Sequence, residues 1–164
     1  PDRSFVTNQD RLLVLYTASK VTLQRSHWVL RFSMSKTEQL TMRTFKTAWF
    51  SKAAKKASIA DTELCEAIRQ VMQGQADDLG GGVFKKRLNN NLRRSIILAK
   101  GGRYWIYEYL FAKKDRENID DDELASFRAL AKVYAGLTDV QMTQLLQDKD
   151  LMEICHGQET TIQK

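Results

Sequence analysis

From residue 42 onward the apolar positions change period several times, and each change marks an element. MRTFKT alternates and predicts a short strand. AWFSKAAKKA follows, with Trp49, Phe50, Ala53 and Ala57 on one helical face. Asp61 is expected to N-cap a second helix, in which Leu64, Ile68, Val71 and Met72 recur at helical spacing until Gly74 stops it. The polar stretch QADDLGGG reads as a loop, and VFKKRL alternates as a strand. Three asparagines then turn the chain into LRRSIILAK, and Gly101-Gly102 turns it again into RYWIYEYLFA. A two-residue Gly-Gly connection suits a type I′ hairpin, whose turn positions both need positive φ.

The remainder is helical. IDDDELASFRALAKVYAGL opens with acids at the positive end of its dipole and buries Leu124, Phe127, Leu130, Ala131 and Tyr134. Thr138 and Asp139 cap a last helix through Met142, Leu145 and Leu146, and LMEIC could add a short strand. The order β-α-α-β-β-β-α-α predicts an α+β domain: an antiparallel sheet of about four strands, two N-terminal helices and two C-terminal helices. Residues 1–41 contain apolar stretches without a clear period. They are read as an N-terminal extension whose status stays open, with Trp28 and Phe32 able to dock on the domain. The domain itself is placed at 42–157, with a tail at 158–164.

Composition narrows the function classes. Of 164 residues, 43% are hydrophobic and 28% charged, a globular rather than disordered balance. No apolar run approaches the roughly 20 residues that span a bilayer, so no membrane partner and a cytoplasmic location are expected. Cys65 and Cys155 lie far apart in sequence and are expected to be free thiols in a reducing compartment. With His27 and His156 as the only histidines, neither a Cys/His metal site nor nucleophile–histidine catalysis is expected, and no cofactor is implied.

Net charge is +6, but it is unevenly spread. Residues 85–114 carry nine Lys/Arg against Glu108 alone, and residues 1–41 carry a further net +3, so the rest of the chain is acidic. A basic block in an acidic body suggests a polyanion-binding surface, whereas a merely soluble surface is the plain alternative. If Gly101-Gly102 forms the turn, Ile96 opposes Tyr107 and Arg94 opposes Tyr109. Arg94, Tyr107, Tyr109 and Lys113 then project from one face. Such a face fits RNA, because cations neutralise phosphates and tyrosines stack on bases. Clustered cations would also stabilise a pentacoordinate phosphorane and lower the pKa of a lysine among them, which could then help remove a ribose 2′-OH proton. Trp105 is expected in the core. Tyr109 is balanced between core and RNA face.

The segments MRTFKTAWFSKAAKK, LGGGVFKKRL, RSIILAKGGRYWIYEYLFAK, KKDRENIDDDEL and LMEICHG, in this order and spacing, resemble the RelE/ParE superfamily of toxins from bacterial type II toxin–antitoxin systems, and its HigB-like branch in particular. The resemblance runs from Met42 to about Gly157. It implies a toxin that stops translation by ribosome-dependent, metal-independent mRNA cleavage. Its implied partners are the ribosome, mRNA and a cognate antitoxin with a helix-turn-helix domain. On matching positions, the implied catalytic residues are Lys85, Arg87, Arg94 and Lys114. Arg94 would sit at the scissile phosphate, Lys85 or Arg87 would move a proton or stabilise charge, and Lys113, Lys114 and Arg116 would hold the RNA or protonate the leaving oxygen. Lys86, Arg93, Tyr107, Tyr109, Lys113 and Arg116 are the expected RNA contacts.

Two departures matter. Asp120, in an acidic run, stands about where some relatives place a base-stacking tyrosine, and Leu92-Arg93-Arg94 stands where many HigB-like relatives have Gly-Tyr-Arg. Alternatives are therefore a ParE-like toxin that poisons DNA gyrase, or a non-catalytic RNA-binding relative. His156 is a minor candidate for carrying a proton.

Overall fold

The computed structural model describes residues 42–100 and 104–156. The expectations for residues 1–41, the 158–164 tail and the Gly-Gly turn itself lie outside the described residues. Six strands form one sheet: β1 (Arg43–Thr47), β2 (Asp77–Gly80), β3 (Val83–Leu88), β4 (Arg93–Lys100), β5 (Tyr104–Ala112) and β6 (Leu151–Ile154). Their order is β2-β3-β4-β5-β1-β6. Four helices accompany them: α1 (Ala48–Lys56), α2 (Asp61–Met72), α3 (Asp121–Gly136) and α4 (Asp139–Gln147).

The helices cover the sheet on both sides, and this decides what β4 and β5 look like. Phe50, Leu64, Ile68 and Val71 pack with Ile97, Trp105, Tyr107 and Leu110 on one face. Phe127, Leu130, Tyr134 and Met142 pack with Ile96, Leu98, Ile106 and Phe111 on the other. Successive side chains on a strand point to opposite faces, so a strand covered on both sides is apolar throughout. Ile96 and Ile97 are accordingly both fully buried. Burial of each such side chain contributes about 1.5–3 kcal/mol.

The helix ends follow local chemistry. The Thr47 hydroxyl accepts from the Phe50 amide at 3.1 Å and starts α1 directly from β1. Asp120 and Glu123 form a reciprocal capping box on α3, as Thr138 and Gln141 do on α4. The first residue of α2 is Asp61, with Ala60 rather than Asp61 in the N-cap position and no side-chain cap bond. Met72, expected on the buried face of α2, is 41% exposed because it sits in the last turn beyond the sheet.

Four further expectations are corrected. Among the described residues the strands number six rather than about four: β6 forms where LMEIC could add a strand, and β2 arises inside the stretch read as a loop. β2 carries only Leu79 as an apolar signal, and its pairing with β3 supplies what its sequence lacks. The sheet is mixed, because β1 runs parallel to β5. Cys65 and Cys155 are disulfide-bonded, with Cα atoms 5.5 Å apart, despite 90 residues between them in sequence. The core beneath α2 brings the end of β6 to the helix, and sequence distance says nothing about that.

The hairpin register also differs. Lys100 pairs with Tyr104, and Ile97 with Tyr107, but Ile96 pairs with Tyr109, so Glu108 is the extra residue of a bulge. A bulge puts two residues of one strand opposite one of its partner and changes which face follows. Tyr107 therefore faces α1 and α2, whereas Tyr109 packs with the α3 side. Glu108 is itself buried and accepts from the Tyr134 hydroxyl at 3.3 Å. Burial in these apolar surroundings pushes its carboxyl up to about 8.

Candidate RNA interface at the end of the central hairpin

With the centres of both broad faces covered by helices, the cations of β3 and β4 gather toward one end of the sheet. They do so where β3 and β4 meet at the Asn89–Asn91 turn. All three asparagines have positive φ, at 50°, 49° and 70°. Asparagine tolerates this left-handed backbone better than most residues. The turn leaves the Asn91 carbonyl pointing back at β4, where it accepts from Arg94 Nη1 at 3.0 Å. The same nitrogen donates to the Arg93 carbonyl at 3.1 Å.

These bonds hold Arg94 in a largely buried position, only 7% exposed. Directly across the strand pair lies Arg87, and Lys85 opposes Ile96 one step along the same face. Arg87 is exposed and has no ion pair among the described residues. Lys85 is held more firmly, with Nζ 3.4 Å from Asp77 Oδ2 and donating to Asn118 Oδ1 at 3.3 Å. The structure thus brings Lys85, Arg87 and Arg94 together on the α3 side.

Lys113 and Lys114 follow β5 and are exposed, and the Lys113 amide donates to the Leu92 carbonyl at 2.9 Å, which ties this turn to the start of β4. Arg116 is differently placed. Its Nη1 donates to both oxygens of Glu123 at 2.8 Å, and Nη2 donates to the Tyr109 hydroxyl at 2.9 Å. The guanidinium lies over the Phe111 and Tyr109 rings, 5.0 and 5.5 Å from their centroids. It is an internal brace that pins the 113–120 loop across the α3 side.

The two tyrosines separate. Tyr107, expected beside Arg94 as an RNA contact, is fully buried and donates to the Leu64 carbonyl at 2.7 Å. It belongs to the core, because the bulge and the shifted register turn it toward α2. Tyr109 is half-buried, stacked on Trp49 at 4.9 Å. Arg94 opposes Phe111, not Tyr109. Trp105 is buried, as its apolar surroundings on β5 led one to expect.

Lys86 and Arg93 leave the opposite face. Lys86 Nζ donates to the Gln75 carbonyl at 2.7 Å, and its pKa is lowered, first by burial and then by the neighbouring Arg87. Arg93 lines a groove of about 470 Å³ between α1 and the end of β5. Trp49, Lys52, Lys56 and Leu110 also line it, over a floor of Ala53 and Ala57. Lys52 and Lys56 are absent from the residues expected at the site, although α1 holds three lysines and no acid, with Lys52 and Lys56 one turn apart. His156 sits beyond β6 at the far edge of the sheet, its Nε2 3.2 Å from the Glu153 carbonyl oxygen. Among the described residues, no cluster of His, Cys, Asp and Glu is arranged to hold a metal ion, and no helix is long and apolar enough to cross a membrane.

No curated protein and no solved structure matches the chain significantly. A family model does: that of the RelE toxin of the RelE/RelB toxin–antitoxin system matches residues 42–154, which span β1 through β6 and contain every cation just described. The chain therefore belongs to the RelE toxin family.

Proposed function

We propose that this toxin inhibits translation by cutting mRNA on the ribosome, in the manner of the HigB-like branch, and that a cognate antitoxin with a helix-turn-helix domain restrains it. The carrying observation is the direct opposition of Arg87 and Arg94, with Lys85 on the same face. Like charges placed opposite each other across a strand pair are destabilising on their own. An anion between them reverses the sign of that interaction, and a phosphodiester has the charge and the oxygens to do so.

Cleavage then needs only groups this chain carries. The ribose 2′-oxygen attacks the adjacent phosphorus and the 5′-oxygen leaves, giving a 2′,3′-cyclic phosphate. Arg94, oriented by the Asn91 and Arg93 carbonyls, faces the scissile phosphate. Arg87 stabilises the added charge of the phosphorane. Lys85 assists departure of the 2′-OH proton, and Lys114 delivers a proton to the leaving oxygen. Lys113 holds the flanking backbone. Arg116 acts indirectly, by fixing Tyr109 and the loop.

The test is expression of the full chain followed by mapping of mRNA 5′ ends. Growth arrest with cuts inside codons is expected, and both should disappear in Arg94→Ala. Intact cleavage in an Arg94→Ala/Lys85→Ala double variant would remove this site. DNA-damage signalling with uncut mRNA would mark a gyrase poison instead.

A further inference from the structure

Arg93 and Arg94 are consecutive in β4, so their side chains leave opposite faces at the same end of the sheet. Arg94 joins Arg87 on the α3 side. Arg93 enters the groove whose rim carries Lys52 and Lys56. No carboxylate lines that groove, and none of the three cations has an ion pair among the described residues. Lys56 also lies in the last turn of α1, where the negative end of the helix dipole favours a cation.

The two basic clusters are joined by rings. Trp49 walls the groove and stacks on Tyr109, 4.9 Å between centroids and 23° between planes. Tyr109 in turn packs with Phe111, the residue opposite Arg94. Cations alternating with aromatic faces around a sheet end match a single strand, in which phosphates alternate with bases. An acidic peptide would use the cations but has no comparable need of the rings.

We propose that the groove of Trp49, Lys52, Lys56 and Arg93 is a second RNA subsite. It holds phosphodiester groups of the strand whose scissile phosphate lies between Arg87 and Arg94, so the strand bends around the end of β4. This rests on the mRNA reading above and adds where the substrate runs beyond the cleavage point.

Uncleavable 2′-O-methyl oligonucleotides of increasing length, titrated against the full chain by fluorescence anisotropy, test it. Affinity should rise when the oligonucleotide becomes long enough to reach the second face. In Lys52→Gln/Lys56→Gln, long oligonucleotides should bind about tenfold more weakly, and the slope of log affinity against log salt should fall by roughly 1.4, about 0.7 for each lost phosphate contact. The shortest oligonucleotides should not notice the change, and Lys52→Arg/Lys56→Arg should restore binding. Arg87→Ala should weaken short and long alike. Both lysines are exposed, so an unchanged thermal melt is expected and confirms that the variant is folded. Wild-type-like affinity and slope in the glutamine variant, with Arg87→Ala still weakened, would overturn the subsite and leave the mRNA reading standing. So would loss of antitoxin capture with unchanged RNA binding. Absence of oligonucleotide binding by the wild-type chain would overturn the reading itself, and the subsite with it.

Discussion

The β1–β6 edge and the β3–β4 end belong to one sheet and use the same cations, yet they treat charge oppositely. At the β1–β6 edge, Arg43 makes a two-pronged bond to Glu153, at 2.7 and 2.8 Å, and lies over the Phe45 ring at 5.0 Å. Arg43 holds the Glu153 carboxyl below the usual range, chiefly through that hydrogen bond. Lys46 is also paired, with Nζ donating to Asp61 Oδ1 at 2.6 Å. At the β3–β4 end, Arg87 faces Arg94, and Arg93 shares its groove with two lysines. A cation matched to a carboxylate is satisfied within the fold. On the proposed function, a cation set opposite another cation takes its counter-charge from an anion outside the fold.

That contrast can be broken most severely by substituting the arginines themselves. Arg94→Ala should slow mRNA cleavage by about 100- to 1,000-fold, the loss typical of removing one charge-stabilising donor. Arg43→Ala should leave the rate within about twofold, measured by end mapping in a translation extract. Equal slowing of both variants would mean that the two ends do not differ in role.

The next effect is on stability and concerns how the far edge is fixed. Cys65→Ser removes the crosslink between α2 and the end of β6 and should cost about 4–5 kcal/mol, in keeping with a long closed loop. Urea unfolding with and without reductant measures it. A variant as stable as the oxidised chain would show that packing alone holds the edge.

Smaller again is the effect of Glu108. Its carboxyl is raised from 4.5 to about 8, so its contribution to stability is full below about 4.5 and is lost as pH climbs through about 8. Glu108→Gln should flatten this fall and leave a chain more stable than wild type at pH 8.5, by thermal melting. An unchanged slope would place the pH dependence elsewhere.

The smallest effect expected is on the stability of the edge ion pair. Arg43 and Glu153 side chains are 38% and 23% exposed, so solvent screening limits the pair, and Arg43→Ala should cost less than about 1 kcal/mol. Because the Glu153 pKa is lowered, this contribution is present above about 4.5 and disappears as pH falls below it. The sign is opposite to that of Glu108, so pH titration of the two variants separates them.

Much of the helical half of the molecule was legible in sequence. The buried faces of α1 and α3, the acid-rich entry to α3 and the Thr138 cap all follow from spacing and cap chemistry that act within a few residues. The candidate site was legible in composition but not in layout. Lys85 and Arg87 share a face with each other as the strand alternation requires, but only the β3–β4 register puts Arg94 on it. Tyr107 left the face expected for it, Arg116 is engaged with Glu123, and Lys52 and Lys56 arrived from a helix read only for its apolar side. Two one-residue shifts, one already present at the Lys100–Tyr104 pair and one at the Glu108 bulge, separate the expected arrangement of β5 from the observed one. No local pattern announces a bulge in a strand that is apolar on both faces.

The sequence by itself determined the helices, the central strands, the family and the concentration of positive charge around the central hairpin, because period, capping and composition are local quantities. Only the tertiary structure decided that β1 inserts parallel to β5, that Cys65 meets Cys155, and that Arg87 stands opposite Arg94 while Arg93 shares a groove with Lys52 and Lys56. These depend on which strands become neighbours and on two one-residue shifts of register. Since side chains alternate with a period of two, those shifts send Tyr107 to the core and leave Tyr109 beside Trp49, at the rim where charge and rings meet.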